Sequence, residues 1–296
     1  AANIPSSKLD ETLLLATWNI REFGRKPRLK ISLHLIAEIL GMFDLVTVVE
    51  VRDNVSDLAE VMQYLGPYWK VVFSDYNQDA GGNRERVAFV YDERAVRFTG
   101  LASQAFAPRK KQGTEYIDTI SWWRPPYMAS FQAGNFDFVV LGAHVRWGDS
   151  EDARQKELQK IADWIDRRLK EKFIYEKDIL VVGDFNIPKL TSPLYKAVTS
   201  TGLKMPGSLA GLHGSNLAKD KRYDQILHLP QFQELITDKG GVLDFYGNSH
   251  KALLPGTSLT KTEFTYQLSD HLPLWIMLNT DDDGLKLDQL LNRKKA

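Results

Sequence analysis

The chain of 296 residues contains no cysteine. That excludes disulfides, cysteine-ligated zinc, iron–sulfur clusters and thiol nucleophiles together, and leaves oxygen and imidazole to carry any chemistry. There is no excess charge of either sign: 38 Lys plus Arg stand against 38 Asp plus Glu, so bulk electrostatics does not mark a nucleic-acid binder. No apolar run reaches the ~20 residues that a membrane span needs, and no basic segment followed by an apolar stretch opens the chain as a signal peptide would. A soluble protein without membrane insertion is expected. Its compartment stays open, because Ala1-Ala2 suits a cleaved form as well as a cytoplasmic one. Zero net charge does not stand against a monomer, the expected state. With 43% hydrophobic and 26% charged residues, the composition is that of a folded globular protein.

Short apolar runs with turn signals set the organisation. Leu13 to Trp18 and Asp44 to Val49 read as strands, and between them Leu29 to Met42 places apolar residues at 33, 36, 39 and 40, the spacing of one helix face. Asn54 to Leu65 repeats the helical pattern. From Trp69 the chain turns β-rich and reads as an antiparallel run, through RVAFVYD, AVRFTGL, MASFQAG and FDFVVLGAHV. Glu151 to Phe173 is the longest predicted helix, with Leu158, Ile161, Ile165 and Leu169 facing inward. Strands at Asp178 to Val182, Tyr223 to Leu229 and Leu272 to Leu278, a helix near Ser192 to Thr201 and a segment near Val242 complete the second half. No linker separates the halves. The order predicts an α/β (α+β) fold: a four-layer α/β/β/α sandwich of two mixed sheets flanked by helices, one domain over residues 1–280. Residues 281–296 form a tail with room for a short helix.

Polar side chains cluster where these apolar strands end. Asn19 follows LLLATW, Glu50 follows DLVTVV, His144 follows FVVLGA, Asp184 and Asn186 follow ILVVG, and Asp270-His271 precede LPLWIM. Strand-end loops are where layered folds place function, since the sheet fixes the backbone while side chains converge beyond it. In an extended strand Asp184 and Asn186 point to the same side; equally, Asp and Asn before Pro188 can simply turn the chain. Glu50 is costly after an apolar run unless it binds a metal or pairs, Arg52 being the nearest partner. Without cysteine, hard oxygen ligands favour Mg²⁺, with Mn²⁺ or Ca²⁺ as alternatives. His144 and His271 suit general acid and base roles, which need a group titrating near neutral pH. Basic residues gather locally in REFGRKPRLK (21–30), at Arg109-Lys110-Lys111 and over Lys219 to Arg222, either as a phosphate-binding face or as solvated loops.

Taken together, TWNI (17–20), VVEVRD (48–53), RERVAFVY (84–91), RPPYMASF (124–131), GAHV (142–145), GDFN (183–186), YDQIL (223–227) and SDHLP (269–273) resemble the endonuclease/exonuclease/phosphatase superfamily. The nearest branch is the deoxyribonuclease I type. The matches run in family order over nearly the whole chain. The resemblance implies the same four-layer sandwich and a divalent-metal phosphodiesterase. It puts Asn19, Glu50 and Asp270 at the metal, Asp184 and Asn186 at the scissile phosphate or its water, Asp224 behind His271, and Glu85 behind His144. It makes Arg52 a DNA contact and Arg124 a phosphate neighbour. Abasic-site endonucleases of the superfamily carry tyrosine where this chain has His144, which favours the deoxyribonuclease branch. Asn83 departs from that branch, which has an aromatic against the DNA sugars there. Trp122 and Trp123 beside Arg124 suit either base stacking or burial.

The reading implied is an endonuclease that hydrolyses DNA to 5′-phosphate ends by a two-histidine acid/base mechanism. The polarity comes from the resemblance. A phosphatase or phospholipase of the same superfamily, acting on inositol phosphates or phospholipid head groups, is the nearest alternative, because fold does not fix substrate. A noncatalytic nucleic-acid-binding module is the alternative of another class.

Overall fold

The structure is a computed structural model that describes residues 4–77, 81–148, 150–247 and 249–281, together with 283 and 291. The first part of the chain forms β1 (Thr12–Phe23), α1 (Lys30–Leu40), β2 (Leu45–Val51), α2 (Ser56–Leu65), β3 (Trp69–Phe73), β4 (Arg86–Asp92) and β5 (Arg97–Gln104). The middle part adds β6 (Arg109–Gln112), β7 (Glu115–Asp118), β8 (Tyr127–Ala133), β9 (Phe136–His144) and α3 (Glu151–Leu169). The last part supplies β10 (Ile179–Asp184), α4 (Pro193–Val198), β11 (Asp224–His228), β12 (Ile236–Val242), α5 (Lys261–Gln267) and β13 (Leu274–Asn279).

Two mixed sheets result, in the orders β12-β13-β1-β2-β4-β3 and β11-β10-β9-β8-β5. The pairs β1·β2 and β9·β10 are parallel; the other pairings are antiparallel. Strand alternation explains how the layers stack. Leu13 and Leu15 of β1 enter one core with Leu45, Val49 and Phe89 of the first sheet and Val140, Leu141 and Val182 of the second. Leu14, Ala16 and Trp18, one residue out of phase, enter another with Leu33 and Ile36 of α1, Leu58 and Val61 of α2 and Phe264 of α5. Helices α3 and α4 contribute Leu158, Ile161, Leu194 and Ala197 to the core of the second sheet. The four-layer α/β/β/α sandwich is therefore present.

Local chemistry sets the helix ends. Ser150 caps α3 by accepting the Ala153 N–H at 3.0 Å, Glu151 and Asp152 sit in its first turn, and Arg167 and Arg168 in its last, each suited to the helix dipole. α3 stops at Leu169 rather than Phe173, where the Lys170 and Glu171 N–H groups bond back to Arg167 and Arg168 at 3.1 Å. Helix α5 is a new element. Its sequence KTEFTYQ buries only Phe264 and Thr265, too little apolar periodicity to read, and a capping box between Thr260 and Glu263 starts it. The basic Arg109-Lys110-Lys111 segment is one strand of an exposed two-stranded ribbon. The 281–296 tail lies outside the described residues except at 281, 283 and 291. No helix among the described residues is long and apolar enough to cross a membrane.

Two glycines fix how closely the strands approach the site end. A Cβ on Gly142 would meet the Val87 side chain at 2.6 Å and that of Thr47 at 3.1 Å, so this face of β9, which His144 shares, looks toward the first sheet. Gly183 has φ +136°, and a Cβ there would lie 1.9 Å from the Ala143 carbonyl oxygen. Neither the backbone angle nor the neighbouring strand can give way. Gly183→Ala is expected to destabilise the protein by about 2–4 kcal/mol in denaturant melts, and an unchanged midpoint would refute the account of this contact.

Candidate active site

Three adjacent strand ends of the second sheet build the floor. Asp184 on β10 is in register with His144 on β9 and with Asp224 on β11, which places the three in one row. The first sheet supplies the opposite wall. Asn19 continues the face of Leu13, Leu15 and Thr17, so its side chain points into the gap between the sheets. Its Nδ2 donates to Asp184 Oδ2 at 3.0 Å, crossing that gap, and to Glu50 Oε1 at 2.9 Å. β1 runs on to Phe23, beyond its apolar run, with a register shift against β2 between Asn19 and Phe23.

Glu50 reaches this point by breaking alternation. Parity puts it with Val46 and Val48, on the helix side of β2. Its φ of +64°, in the left-handed region, turns it, and its carboxylate accepts the Asn19 amide and, at 2.7 Å, the Glu22 backbone N–H. Asn186 also sits at positive φ, +51°. Strain of this kind persists where surrounding contacts over-determine it, and it clusters at functional sites. Asp184 does both jobs weighed for it: Oδ1 accepts the Asn186 N–H at 2.9 Å and so turns the chain, while Oδ2 takes the Asn19 bond.

Each histidine is backed by a carboxylate. Asp224 Oδ2 lies 2.8 Å from His271 Nδ1 and also accepts from Ser215 Oγ at 2.6 Å. Glu85 Oε2 lies 2.8 Å from His144 Nδ1. With Nδ1 occupied in both rings, the Nε2 atoms face inward, 3.7 Å (His144) and 3.8 Å (His271) from the same atom, Asp184 Oδ2. His271 is held from the other side as well: its N–H donates to Ser269 Oγ at 2.9 Å, which in turn donates to the Asn19 carbonyl at 2.6 Å.

The electrostatics follow from burial opposed by pairing. Burial pulls the His271 imidazole down, but Asp224 and Asp184 overcome it and lift it well above the ordinary histidine range. Burial and the Arg124 charge lower His144, and Glu85 and Asp184 outweigh them, so it too is raised. Burial pushes the Glu50 carboxyl up. Glu85 resists burial because His144 and Arg124 hold it down to about 2.

The structure brings Asn19, Glu50, Glu85, His144, Asp184, Asn186, Asp224 and His271 together. It places the other expected residues differently. Arg124, only 11% exposed, bonds Glu85 with Nε at 2.8 Å from Oε2 and Nη2 at 2.9 Å from Oε1. Arg52 pairs with the same carboxylate at 3.4 Å rather than with Glu50. Both arginines, expected on the substrate surface, are therefore underneath His144, where a buried Glu85 needs counter-charge. Asp270 lines the cleft but forms its ion pair with Arg21, at 3.7 Å. Asn83 is exposed in a turn at φ +57° and is not among the residues lining the cleft. Trp122 is partly buried against the core of the second sheet.

The cleft has a volume of 430 Å³ and is lined also by Arg21, Glu22, Trp147 and Tyr223, which the strand-end pattern does not single out. The signal for Trp147 is an indole in a polar loop three residues after His144. A larger hollow of 670 Å³ lies beside α1, where His34 stacks on Tyr64, and holds none of the convergent groups. Chemistry rather than size picks the cleft.

The donor set can be tested against a divalent cation. Because Asn19 Nδ2 donates to two carboxylates, its amide orientation is set, and Oδ1 is left buried without a hydrogen-bond partner beside Glu50. An orphaned carbonyl oxygen next to a desolvated carboxylate fits a hard cation. Asp184, Asp224 and His271 also offer ligand atoms within 4.8 Å of one another, though the Asp224–His271 bond already satisfies two of them.

Neither a protein-family model nor a curated protein matches the sequence. Solved structures do match the fold. An endonuclease/exonuclease/phosphatase family protein from Bacteroides thetaiotaomicron is 16% identical and aligns over 91% of this chain and 98% of its own, with a TM-score of 0.58. A mannosyl-6-phosphatase of the same organism is 15% identical over 90% of this chain and 99% of its own, TM-score 0.57. The human Nocturnin catalytic domain with bound sulfate is 14% identical over 92% and 96%, TM-score 0.58. The fold is that of the endonuclease/exonuclease/phosphatase superfamily, as the motif resemblance implied.

The depressed Glu85 carboxyl carries a stability prediction. Its folded pKa of about 2 lies below the ordinary 4.5, so its contribution is complete above pH 4.5 and is lost as pH falls toward 2. Glu85→Gln is expected to cost about 3 kcal/mol at pH 7, with the gap to the parent closing in melts between pH 4.5 and 2. A gap independent of pH over that range would show that Glu85 is not the ionised partner.

Proposed function

We propose that this protein is a divalent-metal-dependent phosphodiesterase that hydrolyses DNA, with His271 and His144 as general base and general acid. The observation that carries the reading is the convergence of two carboxylate-backed imidazoles, through their Nε2 atoms, on one oxygen of Asp184. Phosphodiester hydrolysis needs a proton taken from water and a proton given to the leaving oxygen, and two inward-facing imidazoles supply both.

His271 is raised by Asp224, Asp184 and Asp270, and His144 by Glu85 and Asp184. His271 is assigned the water, with Asp184 orienting it, and His144 the leaving oxygen. Asp224, itself held by Ser215, holds the His271 ring; Glu85, clamped by Arg124 and Arg52, holds the His144 ring. Asn186 donates to the Val145 carbonyl at 2.8 Å and so ties down the chain just after His144, at the end of β9. Asn19 and Glu50 would hold the cation, Mg²⁺ or else Mn²⁺ or Ca²⁺, which when bound supplies positive charge against the phosphate oxygens. Asp270, committed to Arg21, is left at the rim. The superfamily fold supports a phosphoester substrate, and the two-histidine set together with the deoxyribonuclease-type motifs supports DNA and 5′-phosphate products.

The sign of the pH dependence follows. Because His271 must lose its proton to act and its pKa lies above the ordinary range, log kcat/KM is expected to rise with a slope of about 1 per pH unit on the acid limb, with the optimum alkaline of pH 7. An optimum below pH 6 would sink the base assignment.

Supercoiled plasmid incubated with Mg²⁺ is expected to be nicked, and nicking should stop in EDTA. His144→Ala and His271→Ala should each lose at least 10²-fold in rate while keeping the parent circular dichroism spectrum. Glu50→Gln should raise the Mg²⁺ concentration needed for half-maximal rate. DNA bound but never cut, with any divalent ion, would favour a binding module. Intact plasmid alongside phosphate release from a sugar or inositol phosphate would retain the fold and overturn the substrate.

A further inference from the structure

Trp147 is 61% exposed, yet it lies in the cleft beside both catalytic imidazoles. An indole open to water adds little to stability, so its placement needs another account. It is held firmly. Its ring makes an edge contact with Tyr223 at 5.4 Å and 78°, and Tyr223 in turn leans on the His271 ring at 5.7 Å. The Arg154 guanidinium lies 4.8 Å from the Trp147 ring centroid, and its Nε and Nη1 are buried without a hydrogen-bond partner. Those two donors forgo hydrogen bonds in a position whose evident contact is the indole.

The surface continues past Trp147. Arg146, its chain neighbour, lies 4.6 Å over the Trp123 ring. Both line a 270 Å³ groove at the start of α3, together with Lys156, Glu157 and Lys160. Three cations there face one carboxylate, in a chain whose net charge is zero. Each cation has local company: Lys156 lies 2.6 Å from Asp152, Lys160 reaches the Ser121 carbonyl at 3.0 Å, and Arg146 interacts with Glu157 as well as with the Trp123 ring. Glu157 is buried, and burial pushes its carboxyl up against the opposing pull of Arg124, Arg146 and Lys160.

We propose that Trp147 and the Trp123–Arg146 groove form a track for an unpaired nucleic-acid strand, so that the nucleotide next to the scissile phosphate stacks on Trp147 and the phosphates beyond it meet Arg146, Lys156 and Lys160. The track rests on the phosphodiesterase reading of the cleft for the position of that phosphate. Aromatic platforms interleaved with cations are how single strands are gripped, because every base has a π-face and every link a negative charge. A base inside a duplex has both faces covered by its neighbours. An indole platform can therefore take only a base that is out of the stack, at an unpaired stretch or a strand end.

The test compares a fluorescent ten-nucleotide thymidine strand with a labelled blunt hairpin duplex, by anisotropy in EDTA and by cleavage in Mg²⁺. The parent should bind the single strand at least tenfold more tightly than the duplex. Trp147→Ala should weaken single-strand binding about tenfold, the loss of one base stack, while Trp147→Phe keeps most of it. Lys156→Ala with Lys160→Ala should weaken binding and flatten its salt dependence. Equal or tighter duplex binding, or a Trp147→Ala variant that binds the strand as the parent does, would overturn the track. The two readings fail separately: the binding pattern without cleavage would sink the phosphodiesterase, and cleavage without the pattern would sink only the track.

Discussion

Everything at this site depends on the cost of burying carboxylates between two sheets. Glu85, Asp184 and Asp224, with Glu50 at their edge, end a gap that is otherwise filled by aliphatic and aromatic side chains. An isolated carboxylate there would take up a proton rather than stay charged. The polar neighbours can each be read as an answer to that cost: Arg124 and Arg52 on Glu85, His144 above it, His271 and Ser215 on Asp224, and the Asn19 amide shared between Glu50 and Asp184. The groups that relieve desolvation are the same groups that give the site its proton-carrying capacity. Stability and chemistry are consequently written in one hydrogen-bond network, and neither can be altered alone.

Much of this was legible in the sequence because strands impose a period. Apolar runs marked the strands, and the polar residues that follow them converge at one end of the sandwich. The parity of β1 puts Asn19 on the inner face without any further information. The same rule fails at Glu50, where a left-handed residue reverses the side chain; no spacing argument can register a single backbone angle. It fails again at Asn186, which turns away from the strand instead of continuing it.

The arginines show a different limit. Arg52 and Arg124 carry positive charge in motif positions that look outward on paper, and charge in a sequence reads naturally as charge for a ligand. Their destination is set by Glu85, a residue whose burial could not be seen. Helix α5 escaped notice for the opposite reason: a capping box and two buried side chains suffice when the rest of the domain provides the packing. Trp147 carried no periodic signal, since its exposure, not its pattern, is what distinguishes it.

The bond from Asn19 to Asp184 joins residues 165 positions apart, and His271 arrives a further 87 residues along the chain. No contiguous stretch holds the constellation. Asn19 and Glu50 travel with the first sheet, His144, Asp184 and Asp224 with the second, and the turn that bears His271 belongs to the strand that returns to the first. A half-formed sandwich thus has no partial constellation: these residues meet only when the two sheets dock. During synthesis a fragment still lacking its last strand has Asn19 and Glu50 but not His271, so the constellation is complete only once the final strand, β13, pairs beside β1.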